Sequence, residues 1–155
     1  MINPAPTATW LPKATQTQSV RAAFAALAPG QQRLLEALVF DGETCTRIAQ
    51  VTGGSATEVR QRAGAALLEL RAALAPGAPG GAVATMLVLR ALDALDPDED
   101  ELVDLMLLHQ PTLQRTYEDY LELVGELCLL APRTAPSGDA LARLRAALDD
   151  DGATN

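Results

Sequence analysis

Apolar residues recur at three- and four-residue spacing along most of this chain, and each such stretch is bounded by glycine or proline. That is the rhythm of helices burying one face, so the elements it predicts are helical. Residues 20–27 make a short helical run, stopped by Pro29-Gly30. Residues 31–40 place Leu34, Leu35, Leu38 and Val39 on one side, and Asp41-Gly42 ends the run with the glycine that a left-handed C-terminal cap favours. A third short helix over 44–51 turns Ile48 and Ala49 inward. After a Thr52-Gly53-Gly54 turn, Ser55 and Glu58 form a capping box in which each side chain bonds the other's backbone N–H. The box opens the longest helix of this half, with Val59, Ala63, Ala66, Leu67, Leu70 and Leu74 as its buried stripe.

The pattern fades at 1–19, where three prolines and many polar residues surround Trp10, and these residues read as a flexible tail. It breaks again in the APGAPGG stretch, so 20–75 and 82–149 read as two helical domains joined by a linker over 76–81. Seven residues reach at most about 25 Å, which keeps the halves close. In the second half, 82–92 is helical. Asp96 as N-cap and Pro97 at the first helical position start another helix that runs to about His109. Residues 112–130 make a third, with Leu113, Tyr117, Tyr120, Leu121, Val124 and Leu127 apolar. After a proline-rich gap, 139–148 reads as a last amphipathic helix carrying Leu141, Leu144 and Leu148, and 150–155 as an acidic tail.

Composition fixes the class as all-α, because the apolar weight lies in Ala and Leu and the aromatics number only two Tyr, two Phe and one Trp. The net charge of −8 argues against nucleic acid as a partner for the whole chain. It is unevenly spread. Residues 20–75 carry six arginines and five acids, whereas 76–155 carry five arginines and fifteen acids. No apolar run is long enough for a membrane span and no leader pattern opens the chain, so it reads as soluble and cytoplasmic. Cys45 and Cys128 form no metal or disulfide pattern and read as two small buried hydrophobes. No phosphate-cradling glycine loop or nucleophile motif is present and there is one histidine, which argues against an enzyme and against a cofactor.

Two short helices joined by a glycine turn, the second long and capped, form the layout of a helix-turn-helix. Residues 20–76 go further and resemble region 4 of bacterial sigma factors, above all the extracytoplasmic-function group. Leu27-Ala28-Pro29 with Arg33, Asp41-Gly42 with Ile48-Ala49, and Ser55 with Val59-Arg60-Gln61-Arg62 stand at that family's three motifs. The resemblance implies that Ala56, Thr57, Arg60 and Gln61 face promoter bases, with Arg62 and Arg47 near phosphates. Arginine suits a guanine edge and glutamine an adenine. The chain departs from the family at Arg47, Glu58 and Ala65-Ala66. A carboxylate at Glu58 repels phosphate unless the capping box holds it back. The chain has no counterpart of the region that binds core polymerase, so it is not expected to initiate transcription itself.

Residues 91–148 resemble the N-terminal domain of anti-sigma factors, with Ala91-Leu92-Asp93-Ala94-Leu95-Asp96-Pro97 nearly matching its opening. Zinc-binding members use a histidine and two cysteines. Here His109 stands in place but Leu113 and Thr116 occupy the cysteine positions, so the resemblance implies a zinc-less version with Leu113 added to the core. The acidic run 96–104 reads either as a solvated helix start or as a surface that imitates nucleic acid before a basic partner.

Together these features lead to the expectation of a negative effector of sigma factors, whose bundle packs on its own region 4-like half or engages another sigma factor or RNA polymerase. The rival expectation is a helix-turn-helix regulator that binds promoter DNA and uses the acidic bundle for sensing or for a homodimer.

Overall fold

In a computed structural model of the chain, residues 13–77 and 80–132 are described. Within them the fold is all-helical, with no strand. The helices are α1 (Lys13–Ala26), α2 (Pro29–Leu35), α3 (Cys45–Thr52), α4 (Ala56–Leu74), α5 (Ala82–Ala91), α6 (Pro97–His109) and α7 (Pro111–Cys128), and a π-helical turn (Glu36–Phe40) extends α2. Trp10, the expected helix at 139–148 and the acidic tail lie outside the described residues.

Local chemistry sets most boundaries. The Glu58 N–H donates to Ser55 Oγ at 3.2 Å and the Ser55 N–H to Glu58 Oε2 at 3.1 Å, so the capping box forms in full. Gly53 closes α3 at φ 75°, and its N–H and that of Gly54 both donate to the Ala49 carbonyl, as an αL cap requires. Gly42 takes φ 67° after the π-helical turn. Asp96 and Pro97 start α6, where Glu99 Oε2 accepts the Asp96 N–H at 3.2 Å.

Two expectations are corrected, at α1 and at Cys128, and the inner stripe of α7 is resolved. Helix α1 starts at Lys13, inside the stretch read as a tail; it is anchored by Val20 and by a Thr17 hydroxyl that donates to Glu126 at 2.8 Å. On α7, Leu121 is exposed and Leu123 is buried, because the inner stripe is centred on Tyr120, Leu123 and Leu127. Cys128 is exposed, while Cys45 is buried, and that burial raises the Cys45 thiol pKa and keeps it protonated.

The main hydrophobic core crosses the 76–81 break. Val20, Leu27 and Leu35 from the first helices, Leu67 and Leu70 from α4, and Leu87, Val88, Val103, Tyr120 and Leu127 from the later helices belong to one buried cluster. Helix α5 packs over Gly64 of α4, where a Cβ would make ordinary van der Waals contact at 3.5 Å with both Leu89 and Thr85. A smaller cluster of Cys45, Ala49 and Val59 fixes α3 against α4. Arg90 ties α5 to α6 and α7, pairing with Asp104 and Asp100 and lying 5.4 Å from the centroid of the Tyr117 ring.

Tyr120 is buried with a hydroxyl that finds no partner among the described residues, and burial raises its pKa, with the Arg71 charge opposing and the Asp119 charge adding to the shift. An unmade buried hydrogen bond costs roughly 1–3 kcal/mol. Tyr120→Phe is therefore expected to stabilise the fold by about 1 kcal/mol, raising the melting temperature by roughly 2–4 °C in calorimetry. The sign of the pH effect follows from the raised pKa. The unfolded phenol ionises first, near pH ~10, so stability from Tyr120 is complete below that pH and falls as the pH rises through the folded pKa. The phenylalanine variant lacks that contribution to the alkaline loss.

Candidate nucleic-acid interface

The start of α4 is built by the Ser55 cap and by Val59, which pins this first turn onto α3. The six side chains expected at a DNA surface divide into three settings. Ala56 is half-buried against the cluster beneath α3. Thr57 and Gln61 are exposed, four residues apart on one face, and Arg60 lies beside Thr57 at the edge of that face, on the side away from Gln61. Arg62 lies two positions past Arg60, roughly 160° around the helix, and so belongs to another face. It lines a groove between α2, α3 and α4, which Arg47 also lines.

Arg60 is taken. Its Nη1 stands 2.7 Å from Asp96 Oδ2 and 3.4 Å from Glu99 Oε2, the N-cap and first-turn carboxylates of α6. The arginine side chain is only 18% exposed, against 63% for Asp96 and 48% for Glu99. Its guanidinium pKa is raised, chiefly by the hydrogen bond to Asp96. Glu58 does not compete for it, since its carboxylate is folded back on the Ser55 N–H. A second contact of the same sign joins the halves where Arg71 of α4 meets Asp119 of α7 at 3.2 Å.

The groove occupies about 730 Å³, and its apolar floor includes Leu34, Ile48, Val51 and Val59. Arg33, absent from the expected set, lines it together with Arg47 and Arg62. In the sequence Arg33 stands with Leu27-Ala28-Pro29, but only the packing of α2 beside α3 and α4 brings it to the groove.

His109 is exposed at the end of α6, Leu113 packs on the core, and the Thr116 hydroxyl donates to the Thr112 carbonyl at 3.1 Å. No group of three or more metal-binding side chains occurs among the described residues. None of the described helices is long and apolar enough to cross a membrane. No protein-family model matches the chain, and comparison with characterised proteins and with solved structures finds no match.

Proposed function

We propose that this chain is a non-enzymatic regulator of transcription, a negative effector of an extracytoplasmic-function sigma factor, in which an acidic anti-sigma-like half holds a region 4-like DNA-reading half. One observation carries the reading. Arg60, the side chain best suited to a guanine edge, is held by Asp96 and Glu99 from the other half, so carboxylates stand where nucleic acid would place its acceptors. The charge split supports it, because the excess acid lies on the half that supplies those carboxylates. The capping geometry supports it too: Asp96 and Glu99 belong to the start of α6, where the Glu99 carboxylate also accepts the Asp96 N–H.

The reading is tested by retrieving the tagged full chain from its native cytoplasm and analysing what is bound. A retained sigma subunit, lost at raised salt, is the expected result, since contacts through an acidic helix start are screened by ions. Retention of neither a sigma subunit nor polymerase would sink it. The rival reading, a direct DNA-binding regulator, is favoured by the free exposure of Thr57 and Gln61. It would show instead as tight, salt-sensitive binding of the unaltered full chain to promoter DNA.

A further inference from the structure

Three of the chain's helices each direct one arginine to the same apolar groove: Arg33 from α2, Arg47 from α3 and Arg62 from α4. None of the three has an ion pair or hydrogen bond through its guanidinium among the described residues, and all three are exposed. The contrast with Arg60, Arg71 and Arg90 is informative, because each of those meets at least one carboxylate. Among the described residues the only acid lining the groove is Glu43, so its wall carries a net positive charge. Between the cations the surface is aliphatic, and Val51 stands 71% exposed.

We infer that this groove binds a small anionic amphiphile, a molecule with an aliphatic body and a carboxylate or similar head. The aliphatic body would cover Leu34, Ile48, Val51 and Val59, and the head would accept hydrogen bonds from the unpaired guanidinium groups. At about 730 Å³ the groove falls within the range of sites that take small molecules, roughly 300–1,000 Å³. Charge selects the head. A neutral ligand of the same shape leaves three guanidinium groups as they are, whereas an anion gains charge-assisted bonds beside the apolar surface. The inference does not depend on any sigma-factor partner or on DNA.

The probe is dodecanoate below its micelle concentration, titrated calorimetrically into the full chain, with dodecan-1-ol as the neutral counterpart. Saturable binding of one dodecanoate per chain is expected, with the alcohol at least tenfold weaker. Arg47→Gln combined with Arg62→Gln should weaken dodecanoate tenfold or more with the helical circular dichroism unchanged. Arg21→Gln, on α1 outside the groove, should leave it unaltered. Val51→Glu supplies a second check at an exposed position, placing a carboxylate on the groove surface, and should abolish binding. No saturable binding would overturn the inference. So would several dodecanoates per chain with equal affinity in the arginine variants, the behaviour of a detergent, and so would alcohol and carboxylate binding alike.

Discussion

Leu70→Ala on α4 and Leu127→Ala on α7 are each expected to cost about 2–5 kcal/mol and to shift one and the same unfolding transition. Both side chains are essentially inaccessible and lie in the same buried cluster, although the glycine- and proline-rich break falls between them. Deleting either leaves a cavity that close-packed neighbours fill only in part. A domain of this size holds a net stability of roughly 5–15 kcal/mol, so either change removes a large fraction of it. The coincidence of the transitions is the more discriminating result. If the halves melted independently, Leu127→Ala would lower one step of a denaturant titration and leave a second, from α2 to α4, where it was. With a shared core, helicity by circular dichroism falls in one step in both variants, at lower denaturant and with a similar slope.

That shared core was the least legible part of the chain. Local determinants are written in adjacent residues: Ser55 with Glu58, Asp96 with Pro97, and Gly42 and Gly53 at left-handed caps all lie within one turn of what they control. The stripe on α4 was legible for the same reason, since Val59, Ala63, Ala66, Leu67 and Leu70 repeat on one face and all are buried. A glycine-rich break marks where a helix stops but carries no information on whether the flanking helices pack together. Lys13–Ser19 reads as tail because it is polar, yet α1 runs through it and Thr17 reaches a carboxylate 109 residues away. On α7, apolar residues occupy more than one face, and only the packing of the other helices decides that Leu123 is buried and Leu121 is not.

The candidate site divides in the same way. Helical geometry alone separates Arg62 from Thr57, Arg60 and Gln61, so its different face could have been read from the wheel. Nothing near Arg60 announces Asp96, because the pair joins positions 36 residues apart across the break. The sequence places Arg33 beside Leu27-Ala28-Pro29 but not beside Arg47 and Arg62, because the helices that carry the three meet only in the fold.

The double variant Asp96→Asn, Glu99→Gln is expected to raise the affinity of the full chain for promoter DNA by about tenfold, close to 1.4 kcal/mol. Both replacements preserve the start of α6: asparagine caps as well as aspartate, and glutamine serves in a capping box. What changes is charge. Arg60 loses the carboxylate 2.7 Å away and its second partner at 3.4 Å, and two negative charges leave the face that DNA phosphates would approach. The fold should hardly respond, because the carboxylates are 63% and 48% exposed and pairs with such exposed partners contribute roughly 0–1 kcal/mol. Melting and DNA binding should therefore separate, with the first nearly constant and the second increased. Adding Arg60→Ala to the double variant should return affinity to the level of the unaltered chain or below, and the logarithm of the binding constant should fall less steeply with salt. Fluorescence anisotropy with labelled duplex at two ionic strengths measures both quantities. An equal gain with and without Arg60 would assign the effect to net charge and remove the pairing of Arg60 with Asp96 and Glu99 as its cause; no gain in either would mean that the exposed face of α4 does not read DNA.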